Sequence, residues 1–166
     1  MLTLKQEQWI NHLSDINKIK IVPFDPTAED KFQKIKQIIQ NALGENVPVK
    51  HRGATNLKIS GQDEIDIYIP VSPDIFDSLI NPLKDLFGEP GSLYPLERVR
   101  FKTNIEGKRI DVFLINEECD GWKDGVLFEN YLQSLQFYRL NRPKLLRSRS
   151  QKAVLINKRP PIIRFC

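Results

Sequence analysis

The segment Glu64-Ile65-Asp66-Ile67-Tyr68-Ile69 alternates polar and apolar residues without a break. A period of two is the signature of a half-buried strand, with one face packed and the other turned away from the core. Pro70 follows directly and is expected to end the strand. The same alternation fixes where chemistry can sit. Ile65, Ile67 and Ile69 must be covered by a second layer, while Glu64 and Asp66, two residues apart, project together from the opposite side.

Around this strand the chain reads as alternating helices and short strands. Leu4, Trp9, Ile10, Leu13 and Ile16 recur at helical spacing behind Thr3, predicting a helix over 3–16. Residues 19–24 are mostly apolar and run into the turn Pro23-Phe24-Asp25-Pro26. A helix starting at Thr27 or Asp30 would place Phe32, Ile35, Ile38, Ile39 and Leu43 on one face and stop at Gly44. Residues 47–51 read as a strand entering a glycine turn at Gly53. Residues 73–83 read as a helix capped by Ser72, and the Gly- and Pro-rich stretch 88–95 as a break. Strands over 97–104 and 108–115 are joined at Glu106-Gly107, a hairpin signal. A helix follows over 126–140, and residues 143–156 form another or a loose basic arm. The order predicts an α+β domain, a small mixed β-sheet covered by helices rather than a doubly wound parallel sheet.

At 166 residues, with 40% hydrophobic and 28% charged residues, the chain suits one globular domain. No apolar run approaches the roughly 18 residues of a spanning helix, and the N-terminus lacks the apolar core of a secretory signal. Cys119 and Cys166 are too few for a disulfide framework or a Cys-rich zinc site. A reduced, cytoplasmic protein without a membrane partner is expected. Charge divides the chain in two. From Arg139 onward there are nine basic residues and no acid, whereas the preceding 138 residues hold 16 basic and 21 acidic. The expected organisation is a domain over 1–138 and a basic segment over 139–166, the latter suited to RNA or another polyanion.

The carboxylates carry the chemistry. Asp111 lies in the otherwise apolar run Ile110-Asp111-Val112-Phe113-Leu114-Ile115. If that strand pairs beside the first, Asp111 faces Glu64 and Asp66 with opposed Cβ atoms about 5 Å apart. Three carboxylates so close repel unless a cation sits among them, and Mg²⁺ or Mn²⁺ is the usual solution. Such ions align a triphosphate, stabilise a leaving pyrophosphate and activate an incoming hydroxyl. Upstream, Gly53-Ala54-Thr55 forms a small-residue turn whose backbone N–H groups suit phosphate oxygens. Arg52 beside it and Lys58 beyond it are candidates to neutralise phosphate charge, Arg52 by bidentate contact. His51 is read as a surface or capping residue.

These residues also resemble a known family. The run Ile21-Val22-Pro23-Phe24-Asp25-Pro26, then His51-Arg52-Gly53-Ala54-Thr55, Ile65-Asp66-Ile67 and the segment from Trp122 to Leu132 resemble the GrpB-like family of the nucleotidyltransferase superfamily. The chain carries Gly53-Ala54-Thr55 at the family's Gly-Ser-Thr, and Arg109-Ile110-Asp111 where many members have His-x-His. The resemblance implies a nucleotidyltransferase-like core and transfer of a nucleoside monophosphate from an NTP to an acceptor. Asp66, Glu64 and Asp111 would be the catalytic and metal-binding set, with Gly53, Ala54, Thr55, Arg52 and Lys58 at the nucleotide's phosphates. A non-catalytic nucleotide- or RNA-binding module on the same fold is the alternative, and an interaction or toxin–antitoxin-like component a third reading.

Overall fold

The computed structural model describes residues 20–135. The expected helix over 3–16 and the basic segment over 139–166 lie outside the described residues. Within them the elements run α1 (Ala28–Leu43), β1 (Lys50–Arg52), α2 (Gly53–Asn56), β2 (Glu64–Val71), α3 (Pro73–Phe76), a 3₁₀ turn (Asp77–Leu79), α4 (Ile80–Phe87), β3 (Ser92–Tyr94), β4 (Arg98–Ile105), β5 (Lys108–Asn116) and α5 (Asp120–Ser134). The strands form one five-stranded sheet in the order β1-β2-β5-β4-β3. Only the central β2–β5 pair is parallel, so the sheet is mixed. This is the α+β architecture expected from the order of elements.

The alternation of β2 sets the two sides of the sheet. Ile65, Ile67 and Ile69 are buried beside Ile110, Val112 and Leu114 of β5 and Val99 and Phe101 of β4. Ala28, Phe32, Ile35 and Ile39 of α1 and Leu83 of α4 complete this core. Ile38, expected on the same face of α1, is instead exposed. The β4–β5 hairpin forms where Glu106-Gly107 marked it. Both residues have positive φ, 51° and 75°, the pairing that a two-residue type I′ turn requires.

Several boundaries differ from the sequence reading, each for a physical reason. Pro70 does not end β2, which continues to Val71 against Asn116. The β1 ladder has already finished at Lys50–Tyr68, so beyond it β2 is paired on one side only and tolerates a residue without an N–H. The helix expected over 73–83 is split by the 3₁₀ turn and then runs on to Phe87. Pro82 removes one i→i−4 bond and crowds the carbonyl four residues back, which accounts for the interruption. The strand over 47–51 shrinks to Lys50–Arg52, and the Gly53 turn is one turn of helix. The break at 88–95 contains the edge strand β3. Helix α5 begins at Asp120, six residues before the expected start.

Asp25 anchors the approach to α1. Its carboxylate accepts from the Thr27 amide (2.9 Å) and hydroxyl (2.7 Å) and pairs with Lys31 and with buried Lys108 at the start of β5. The Thr27 hydroxyl bond, with these further donors, outweighs burial and holds the Asp25 carboxyl well below the usual carboxylate range. Burial disfavours the Lys108 ammonium, but its bonds to Asp63 and Asp25 prevail and raise its pKa.

Candidate active site

Residues in register share a face, and the face opposite the core is polar. β2 contributes Glu64, Asp66 and Tyr68, opposite Arg109, Asp111 and Phe113 of β5. β4 adds Arg98, Arg100 and Lys102, and β3 adds Tyr94 opposite Arg98. The parallel register places Asp66 directly against Asp111. Glu64, Asp66 and Asp111 each offer an oxygen within 4.8 Å of the others. The three acids singled out in the sequence therefore converge.

Two guanidiniums stand beside them. Arg100 pairs with Asp111 through Oδ2, and Arg109 pairs with Glu64. Asp111 is only 2% exposed, and its other oxygen, Oδ1, is buried with no hydrogen-bond partner. A buried carboxylate oxygen with nothing donating to it is a costly arrangement that a ligand would relieve. The donor set is all oxygen, which suits a hard divalent cation such as Mg²⁺ or Mn²⁺. Residues and group fit: Glu64, Asp66 and Asp111 would hold it.

Gly53 closes the site from above β2. It has φ +74°, and a Cβ there would overlap Oδ2 of Asp66. Glycine thus serves twice, admitting a left-handed turn and letting the carboxylate nest against the backbone. Ala54 and Thr55 continue the short helix α2, and the buried Thr55 hydroxyl lies 2.9 Å from Nε2 of His51. His51 stacks on Phe32 at 4.7 Å, and its Nδ1 lies 2.9 Å from Glu29. A carboxylate can only accept, so a neutral His51 donates from Nδ1 and accepts from Thr55. Its role is to brace the turn.

Two of the phosphate donors expected at the turn, the Gly53 N–H and Arg52, are already engaged. The Gly53 N–H donates to Glu129 Oε1 (3.1 Å), as does the Asn56 amide (2.9 Å), and Arg52 pairs with the same carboxylate. Arg52 also donates to the Gly125 carbonyl at 2.6 Å and lies 4.8 Å from the Trp122 ring centroid. Trp122, Gly125 and Glu129 fall on one face of α5 at spacings of three and four, which brings all three to Arg52. Lys58 is exposed, with φ 53°. Tyr68, stacked on Phe113 at 4.6 Å, has its hydroxyl pKa pushed up to about 12 by burial and the nearby Asp66 charge.

The sequence reading missed Glu129, Arg100 and Trp122 as site residues. The helical period of α5 would have joined Trp122 to Glu129, and the hairpin turn, by setting Lys102 opposite Asp111, puts Arg100 one step along the same face.

Residues 18–141 match the family model described as GrpB protein. The chain belongs to the GrpB family. The GrpB fold is also seen in the crystal structure of the conserved protein GrpB from Enterococcus faecalis, at a TM-score of 0.62 and 18% identity. That match covers 84% of this chain and 93% of the other. No curated protein matches the chain. Among the described residues of this GrpB chain, no helix is long and apolar enough to cross a membrane.

Proposed function

We propose that this GrpB protein is a metal-dependent nucleotidyltransferase of the cytoplasm, moving a nucleoside monophosphate from an NTP to an acceptor. The observation that carries the reading is the convergence of Glu64, Asp66 and Asp111 beneath a glycine whose missing side chain makes room for Asp66. A divalent ion, when bound, supplies charge neutralisation at the transferring phosphoryl group. The chain's own residues do the rest. Asp66 lies close against Gly53, while Arg100 pairs with Asp111 and Arg109 with Glu64, so two of the three carboxylates are oriented before any ligand arrives. Asp111 Oδ1 is the acceptor available to a proton of the incoming group. Gly53 walls one side of the site and Arg52 holds the turn through Glu129, whereas Thr55 is turned to His51, Ala54 lies toward Gly61 and Lys58 acts on Glu29. The basic segment over 139–166 is the reading's RNA contact.

One observation favours a second reading, a nucleotide- or RNA-binding module without catalysis. Arg100 and Arg109 already offset two of the three acids, which lowers the demand for a metal. Labelled NTPs incubated with Mg²⁺ or Mn²⁺ and pooled cellular RNA, protein and metabolites separate the two. Label transfer that disappears in Asp66→Asn supports the enzyme; nucleotide binding without transfer supports the module.

A further inference from the structure

The guanidiniums of β4 are poised in an unusual way. Arg98 lies between two rings, 5.2 Å from the Tyr94 centroid and 5.9 Å from that of Phe113. Arg100 lies 5.6 Å from the Phe113 centroid while pairing with Asp111. None of the ion pairs among the described residues involves Arg98. Both Arg98 Nε and Arg100 Nε are buried without a hydrogen-bond partner. Buried donors without acceptors are rare and costly, and a bound anion is one of the few things that explains them. Stacking on rings fixes the planar fork and reduces the entropy lost when it binds.

On the opposite flank of the site several donors are already taken. There the Gly53 amide, Asn56 and Arg52 all converge on the Glu129 carboxylate, which occupies the donors a phosphate would use. The unsatisfied donors of this face lie on the β4 side: Arg100 is opposite Phe113, one same-face row along from the Asp66–Asp111 pair, and Arg98 is one row further, opposite Ile115.

We propose that Arg98 and Arg100, with Tyr94 steadying Arg98 at the rim, form the subsite for the polyphosphate chain of a nucleotide. The inference deepens the nucleotidyltransferase reading by moving the phosphate contacts from the glycine turn to β4. Arg98 is the cleaner probe, because Arg100 also balances Asp111. Arg98→Met preserves much of the side chain's apolar bulk and removes the fork, whereas Arg98→Lys keeps only the charge.

The test is calorimetric titration of the full chain with inorganic tripolyphosphate in EDTA, then with ATP and Mg²⁺, and separately with a short oligoribonucleotide. The expected result is tripolyphosphate binding by the wild type. Arg98→Met should weaken it about tenfold or more, the scale of one lost charge-assisted hydrogen bond. Arg98→Lys should fall between the two, and it carries the comparison if the methionine variant melts early. Asp66→Asn should bind metal-free tripolyphosphate undiminished, so the subsite stands even if no transfer reaction is found. The proposal is overturned if the wild type does not bind tripolyphosphate, or if both Arg98 variants bind it as the wild type does. It is equally overturned if only oligoribonucleotide binding responds to Arg98. Label transfer with an unchanged KM for NTP in Arg98→Met would overturn the subsite while leaving the transferase reading intact.

Discussion

Asp66 and Asp111 are register partners in the parallel β2–β5 pair, on the face of the sheet opposite the core. Directly opposed carboxylates repel, and a divalent ion held between them would stabilise the folded state by mass action. Mn²⁺ or Mg²⁺ with nucleotide at a hundred times Kd should add about 2.7 kcal/mol, a melting shift of roughly 5–10 °C for a chain of this size. Asp66→Ala should abolish the shift. A thermal melt in which wild type and variant respond alike would remove Asp66 from the metal site.

Gly53→Ala is expected to act first on Asp66, whose carboxylate is what the added Cβ meets. Its cost has two parts, the positive φ of 74° and the overlap of a Cβ with the Asp66 carboxylate. Gly88 separates them, because it has φ +79° with nothing within 4 Å of a Cβ. Both alanine variants should lose about 1 kcal/mol of stability from the backbone conformation. Only Gly53→Ala should also lose the metal-induced melting shift. Equal metal responses in the two variants would show that the close approach at Gly53 is unrelated to metal binding.

Glu129 ties α5 to the turn through the Gly53 amide, Asn56 and Arg52, and is 8% exposed. Truncation leaves a half-buried guanidinium and two N–H donors without their acceptor. Glu129→Ala should destabilise by about 3 kcal/mol in urea denaturation, on the scale of broken buried pairs. Glu129→Gln retains a carbonyl acceptor and should lose clearly less. Similar losses for both would mean that charge on Glu129, rather than hydrogen bonding to the turn, does the holding.

The residues that were legible in the sequence are those whose role follows from local pattern. Ile65, Ile67 and Ile69 had to be buried and Glu64 and Asp66 had to share a side, because a strand alternates whatever surrounds it. Asp111 followed once a second apolar strand was placed beside the first. Glu129 was not legible in this way, since its partners Arg52, Gly53 and Asn56 lie more than 70 residues away and only the path of α5 joins them. The continuation of β2 through Pro70 was likewise hidden, because a proline's cost depends on whether a neighbour still pairs on that side. The commitment of Arg52 to Glu129 has the same origin. Sequence spacing identified a cation next to a phosphate-like turn but not the carboxylate that reaches it first.

Acid should loosen the protein through Asp25 before it reaches the core. Thr27, Lys31 and Lys108 all donate to this carboxylate, and its folded pKa is held far below the value of about 3.9 that an unfolded aspartate has. A group depressed on folding contributes stability that is fully present above its unfolded pKa and lost as pH falls toward the folded one. Glu29, lowered first by its bond from Gln33 and further by His51, acts in the same direction. Stability should therefore hold down to about pH 5 and fall progressively below it. Asp25→Asn removes the charge that Lys31 and Lys108 share. It should be about 1–2 kcal/mol less stable at pH 7, the scale of hydrogen bonds to a charged group. It should also lose less between pH 4 and pH 2 than the wild type. Urea midpoints measured across that range test both halves of the expectation. Parallel acid limbs in the two proteins would place the acid sensitivity elsewhere than at the turn before α1.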